Sequence, residues 1–480
     1  MTAEQQKKFK YWQWRTIIGT MVGYIFFYLI RKNFSFAMPG LTAEYGISKA
    51  TLGGILSAAG FLYGLSKLIN GMLADRINGR WHMVTGLAVC TVTAVLFGFG
   101  AKIAAAIAGV AEGEAFIGTF VLVLSVLWII NNIFQGCGFP PCSRLIPRWV
   151  PSSELSTKMS LWNTSHSIGA GLAGVLCGVL IMGSMGTDMS GDPVMVKTIA
   201  DNLGKEITDP AVMTAAQNVG AWQWAFLIPA IIAGVGVVVT AWILRDTPKS
   251  VGLPELSEGN DGKAEAPKES KEEINAFIMK HVWKNPVIWA LAVADFFVYI
   301  IRFAVLDWGP TFLREHCHMT AELAGWTVII FEIFGVVGML AAGWISDKVF
   351  GGRATRTCLF CMLGALVAVL GFIGLQTAGA TPLVLLLVLA LAGMFIYGPQ
   401  ALIGVIASNH ATRKASATAN GLIGFVSYVS VLVSGWGFGL IADSKWGWNG
   451  VFVAMVAMAV IGALIFVPMW KMKRDAYSEE

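Results

Sequence analysis

The sequence predicts an all-α integral membrane protein, with twelve transmembrane helices in two pseudo-symmetric six-helix bundles. Three observations carry that expectation. Of 480 residues, 56% are hydrophobic and only 13% charged, and mean hydropathy is +0.67, which excludes an ordinary soluble domain. Apolar runs of at least about 18 residues, long enough to cross a bilayer, recur along the whole chain. A loop motif and an intramembrane arginine also return at matched separations in the second half.

The elements follow in order. A basic aromatic leader, QQKKFKYWQWR from Gln5 to Arg15, precedes the first apolar run, which is too long for a signal peptide and has no small-residue cleavage site. Crossings are expected at about 15–39, 51–74, 81–102, 115–141, 155–184 and 222–244. The stretch from Arg245 to Glu273 is rich in Pro, Gly, Lys and Glu and can bury little, so it reads as a solvated linker. Six more crossings are expected at about 284–312, 322–346, 355–377, 382–408, 415–441 and 447–470. The division is therefore an N-terminal bundle over 1–244, a cytoplasmic linker over 245–283 and a C-terminal bundle over 284–480.

Alternate loops concentrate the cations: Arg76 and Arg80, then Arg144, Arg148 and Lys158, then Lys348, Arg353 and Arg356, then Arg413 and Lys414. Positive-inside bias puts those loops and both termini in the cytoplasm. The polar stretch 185–221 is then an external insertion whose role the sequence does not disclose. A net charge of +5 comes from these short loops and makes no case for nucleic acid. The seven cysteines lie mostly in apolar runs and read as small apolar residues.

GMLADRINGR follows the second crossing and GWISDKVFGGR the eighth, each a glycine, three residues, Asp, then Arg or Lys. The basic-loop pairs Asp75 with Arg76 and Asp347 with Lys348 are the candidate gating motif. Arg31 lies 44 positions before Asp75, and Arg302 lies 45 before Asp347. Parallel repeats related by an axis along the membrane normal produce this correspondence.

A charge near the bilayer centre costs about 2.5–3.5 kcal/mol on an insertion scale. Arg31 has Tyr28 three residues before it and Tyr24 seven before, so phenols and guanidinium share a helical face; Tyr299 and Arg302 repeat this. Intramembrane cations face the bundle interior or a water-filled cavity, so both arginines are expected to point into a central cavity. Two facing guanidiniums repel unless an anion lies between them, and the planar fork of arginine suits phosphate oxygens. The expectation is that the compensating partner is a transported anion. Asp295 and Asp307 lie seven before and five after Arg302, too far to pair along the helix, which leaves a partner on another helix open. Arg31 and Lys32 could instead mark the outer end of a short first helix and snorkel to headgroups.

Lys67, with Tyr63 four residues earlier on its face, reads either as a cavity residue or as a snorkelling one near the cytoplasmic end. His166 is a core histidine or a phosphate donor that changes charge near neutral pH, with Asn163 on its face. GAGLAG, Gly169 to Gly174, matches a dinucleotide fingerprint but continues a membrane helix, so it reads as a packing surface. The His316–His318 pair around Cys317 lacks further ligands for a metal. No nucleophile elbow, zincin helix or phosphate-binding loop is visible, and no enzyme, cofactor or metal is expected.

With these residues in view, the chain resembles the organophosphate:phosphate antiporter family of the major facilitator superfamily, which includes glycerol-3-phosphate and hexose-phosphate transporters. YLIRKNF, YGLSK, FQGCGFPPCSR, WNTSHSIGAG, RDTPKSVGLP, VYIIRFAVLDW, GWISDKVFGG and YGPQALIGV carry the resemblance over nearly the whole length. It implies that Arg31 and Arg302 clamp phosphate, that Lys67 and His166 join them, and that Tyr28 and Tyr299 line the site. Some hexose-phosphate members carry an acidic residue and a lysine where this chain has Asn420 and Ile423, which leaves the ester open. The implied function is exchange of a phosphate ester for inorganic phosphate by a monomeric carrier of a bacterial-type inner membrane. The same family contains a sugar-phosphate sensor, which remains an alternative. A proton-coupled carrier is a third reading, and it would need Asp295 or Glu332 as its carboxylate.

Overall fold

The computed structural model describes residues 2–31, 33–181, 184–255, 271–309, 312–313, 317, 321–442 and 444–472. Lys32, His316, His318 and linker residues 256–270, named above, lie outside the described residues, as do the side chains of Asp307 and Arg413. Every described element is a helix, apart from one isolated bridge between Thr187 and Val219.

The first crossing is broken. Helix α1, Ala3–Leu29, opens on a capping box in which Thr2 and Gln5 exchange hydrogen bonds, and α2, Asn33–Tyr45, resumes after a break that contains Arg31. Helix α3, Lys49–Ala74, is capped by Ser48, and α4, Gly79–Gly98, by Asn78, each accepting a backbone N–H of the first turn. There follow α5, Gly100–Ala108; α6, Glu114–Gln135; α7, Phe139–Trp149; and α8, Leu155–Ala173, which runs into a π-helical turn over Gly174–Ile181. Two short helices, α9 (Pro193–Leu203) and α10 (Pro210–Ala216), precede α11, Ala221–Ile243. Asp192 and Asp209 cap the short pair and a proline opens each.

After the linker helix α12, Lys271–Ile278, the second half begins with α13, Pro286–Phe303, capped by Asn285. A π-helical turn over Ala304–Trp308 begins two residues after Arg302. The remaining helices are α14 (Ala321–Lys348), α15 (Ala354–Thr377), α16 (Pro382–His410), α17 (Thr412–Leu432), α18 (Phe438–Ala442) and α19 (Gly447–Phe466). All twelve expected crossings fall on these helices.

Among the described residues, nine helices are long and apolar enough to cross a membrane by composition alone. The first, fifth and eleventh crossings are not among them, and these bear Arg31, His166 and the Ser- and Thr-rich face of α17. Helices that line a polar interior lose the hydropathy that marks lipid-facing ones. Large apolar side chains on the outer faces, among them Val235, Val238, Leu383 and Val453, are exposed, as expected where lipid is the solvent.

Two main apolar cores form. One gathers residues from Ile17 to Leu244 with Val405, the other residues from Ile278 to Met469. A small third core binds α9 and α10 to Ala43 at the end of α2. There Glu44, beyond the membrane-spanning stretch, accepts the Gly220 N–H at 2.8 Å and the Trp222 indole N–H at 3.1 Å. Burial pushes its carboxyl up to about 7, and those two donors oppose the shift.

Candidate functional site between the two halves

Both arginines stand where a helix gives way, Arg31 in the break after α1 and Arg302 just before the π-helical turn that ends α13. Both face the interface between the halves. Tyr28 and Tyr428 lie within electrostatic reach of both guanidiniums. Arg31 donates to the Tyr428 hydroxyl on α17 at 3.3 Å, and its guanidinium lies 3.9 Å from the Tyr63 ring centre and 4.9 Å from that of Tyr28. It has no ion pair among the described residues.

Arg302 corrects the expectation of two uncompensated cations. Its Nη2 pairs with Glu332 Oε1 of α14 at 3.3 Å, and its Nε donates to the Tyr397 hydroxyl of α16 at 3.0 Å. The carboxylate comes from a neighbouring helix, so no spacing along α13 could have disclosed it. The pair is a single contact, not a two-point fork, and Glu332 keeps 29% of its side chain exposed. Glu332 also reaches across the interface, where Oε2 accepts the Ser167 hydroxyl of α8 at 3.3 Å. Beside it, His166 Nε2 lies 3.3 Å from the same hydroxyl, Nδ1 contacts the Asn163 carbonyl, and the ring stacks on Tyr397 at 6.1 Å.

The remaining predicted residues divide. Tyr63 packs edge-on against Tyr428 at 4.9 Å, and Tyr299 lies 6.0 Å from Tyr428 and 5.9 Å from the Arg302 guanidinium. Lys67 is buried with no hydrogen bond or ion pair among the described residues; its amine sits 5.1 Å from both the Phe139 and Tyr428 rings. Gly424 on α17 makes room for it, since a Cβ there would meet Nζ at 2.7 Å. One turn further along α17, Ser427 donates to Asp295, which is within electrostatic reach of Lys67. Tyr24 is buried behind Tyr28 against Trp162, and Asn163 directs its amide to Met339 Sδ at 3.2 Å. The structure brings neither side chain into contact with a guanidinium, though Tyr24 lies within electrostatic reach of Arg31. Glu332, Tyr397, Tyr428 and Ser167 were not among the predicted site residues. YGPQ contained Tyr397 and the proton-carrier reading contained Glu332, but nothing in the sequence joined them to Arg302.

The loop motifs grip the opposite half. Asp75, at the end of α3, accepts the backbone N–H groups of Ala417 at 3.1 Å and Thr418 at 2.6 Å and the Thr418 hydroxyl at 2.7 Å. Asp347, at the end of α14, accepts the Thr157 N–H and hydroxyl of α8, both at 2.7 Å. Glycine permits the approach, because a Cβ at Gly71 would lie 2.6 Å from the Ala417 carbonyl and 2.9 Å from Gly421 Cα. The halves are therefore closed together on this face. Arg76 donates to Asn275 of α12 at 2.7 Å, while Lys348 is exposed.

Comparison with known proteins agrees in kind. Residues 20–435 match the Major Facilitator Superfamily. A probable hexose phosphate transport protein of Chlamydia pneumoniae is 36% identical over 97% of this chain and 92% of its own length. The glycerol-3-phosphate transporter of Bacillus subtilis is 33% identical over 96% and 93%, and the membrane sensor protein UhpC of Escherichia coli 30% over 97% and 94%. Among solved structures, the E. coli fucose:proton symporter superposes with a TM-score of 0.65 at 17% identity over 93% of this chain and 96% of that one, a likeness of fold alone.

Proposed function

We propose, on the premise that the chain belongs to the Major Facilitator Superfamily, that it carries a phosphate ester across a bacterial-type inner membrane in exchange for inorganic phosphate. The observation that carries this reading is Arg31: a half-buried guanidinium at the interface, held by phenols, with no carboxylate among the described residues. A cation so placed is costly to seal from water, and an anion bound against it removes that cost. Relatives named as hexose phosphate and glycerol-3-phosphate transporters support phosphate as the recognised group.

In this reading phosphate sits between Arg31 and Arg302, taking fork bonds from each. Lys67, His166, Tyr28, Tyr63 and Tyr299 supply further donors or walls. Phosphate competes with Glu332 for Arg302, so loading also loosens the Glu332–Ser167 contact between the halves. The closed face is cytoplasmic by the loop cations, and its release with closure at the other face moves the load across. The empty carrier keeps Arg31 uncompensated and does not complete that movement, which makes transport an exchange. The functional unit is a monomer, since the site draws on one chain.

Proteoliposomes preloaded with inorganic phosphate test this, with uptake of labelled hexose phosphate and glycerol-3-phosphate as the readout. Uptake that needs internal phosphate supports exchange; equal uptake without it removes the exchange mechanism. The 30% identity to a membrane sensor favours one second reading, in which ester binds but does not cross. Saturable binding with no flux in the same vesicles would select it.

A further inference from the structure

Between the arginines and the closed face lie two more charges, one from each half. Lys67 stands eight residues before Asp75 on α3, and Ser427 nine after Thr418 on α17. At 1.5 Å per residue both sit roughly 12–14 Å above the Asp75–Thr418 fastening, at matched height. Ser427 donates to Oδ2 of Asp295 on α13. Asp295 lies seven residues before Arg302, close to two full turns, so it shares that guanidinium's face of α13 about 10 Å nearer the closed side. Tyr428 joins the two levels: its hydroxyl accepts from Arg31 at 3.3 Å, and its ring lies 5.1 Å from the Lys67 amine.

Both charges are buried and neither is fully partnered. Oδ1 of Asp295 accepts no hydrogen bond among the described residues, and the Lys67 ammonium donates none. They lie within electrostatic reach of each other, yet no ion pair joins them among the described residues. Each is held in place separately, Lys67 in the space that Gly424 leaves and Asp295 by Ser427.

The chemistry of this pair selects what fits between its members. A phosphate oxygen suits the ammonium but is repelled by the carboxylate. An apolar group leaves both buried charges unsatisfied, which is costly. A hydroxyl serves both, because it accepts from the ammonium and donates to the carboxylate.

We propose that Asp295 and Lys67 together bind a hydroxyl of the ester's organic part, remote from its phosphate, and so select esters long enough to reach them. This rests on the carrier reading above, with phosphate at the two arginines. A six-carbon ester spans most of the distance from the arginines to Asp295, whereas a three-carbon ester falls well short. Asp295 is then a specificity residue for the sugar, and Lys67 serves the organic end of the load.

Isothermal titration of the full chain with inorganic phosphate, glucose 6-phosphate and its 1-, 2- and 3-deoxy analogues tests this, in the wild type and in Asp295→Asn. The wild type is expected to bind one deoxy ester about tenfold more weakly than glucose 6-phosphate, and the variant to bring that ratio close to one. The ratio is the readout, because removing a charge changes the binding of every anion in the same sense. Lys67→Gln should collapse the same ratio, and it decides the matter if Asp295→Asn fails to fold. A wild type that binds every deoxy ester as well as glucose 6-phosphate overturns the proposal, as does a ratio that persists in the variants. A wild type that binds neither inorganic phosphate nor any ester removes the carrier reading itself, and this proposal with it.

Discussion

The two arginines occupy matching places in the two halves and live in different company. Arg31 is surrounded by phenols and touches no carboxylate among the described residues, while Arg302 holds Glu332 at 3.3 Å. The difference teaches that a pseudo-symmetric site can divide its labour. In the proposed exchange, one cation stays uncompensated and drives anion binding, while the other is partly neutralised and exchanges its internal partner for the incoming one. Neutralising both would abolish the attraction. Leaving both bare would make the empty site harder to assemble, because an unpaired buried charge is destabilising by several kcal/mol.

The comparison is most exposed at Arg31. Arg31→Lys, which keeps charge but loses the fork, is expected to weaken phosphate binding by about 3 kcal/mol, roughly 100-fold, against about tenfold for Arg302→Lys. Isothermal titration with inorganic phosphate measures both; equal losses would show that the asymmetry has no energetic meaning. Glu332→Gln frees Arg302 and is expected to tighten phosphate about tenfold, or about 1.4 kcal/mol. In an Arg302→Lys background the same change should do much less, which ties the effect to that pair.

A smaller effect is expected at the closed face. Asp75→Asn and Asp347→Asn each weaken hydrogen bonds to the other half, and each should raise the open population on that face about fivefold, for about 1 kcal/mol. Spin-label distances across the face read this, and a change in only one variant would extend the asymmetry from the site to the gate.

The smallest effect belongs to Glu44. Its folded-state pKa of about 7 lies above the ordinary 4.5, so the native protein holds a proton that the unfolded chain has released between those values. Its contribution to stability is therefore full below about 4.5 and is lost as pH rises through about 7. The thermal midpoint should fall by about 2 °C across that window, and Glu44→Gln should flatten the slope.

The number and placement of the crossings were legible because bilayer thickness imposes a length and composition that a single sequence displays. The two arginines and the two loop aspartates were legible because duplication repeats spacing. Contacts between helices were not. Glu332 meets Arg302 from α14 and Tyr428 meets Arg31 from α17, and a sequence records no distance between separate helices. Face-sharing along one helix placed some of these side chains only coarsely. It grouped Tyr24 and Asn163 with the arginines; Tyr24 packs behind Tyr28 within electrostatic reach of Arg31, and Asn163 turns to Met339. The break in the first crossing escaped too, since YLIRKNF contains neither proline nor glycine to announce it.

Asp75 grips Thr418, and Asp347 grips Thr157, so each bundle carries both a hook and an eye for the other. Docking is thereby written twice, in opposite senses. Two separately synthesised polypeptides, severed within the linker, should still find the same register, and loss of one fastening should leave its mirror twin to align them.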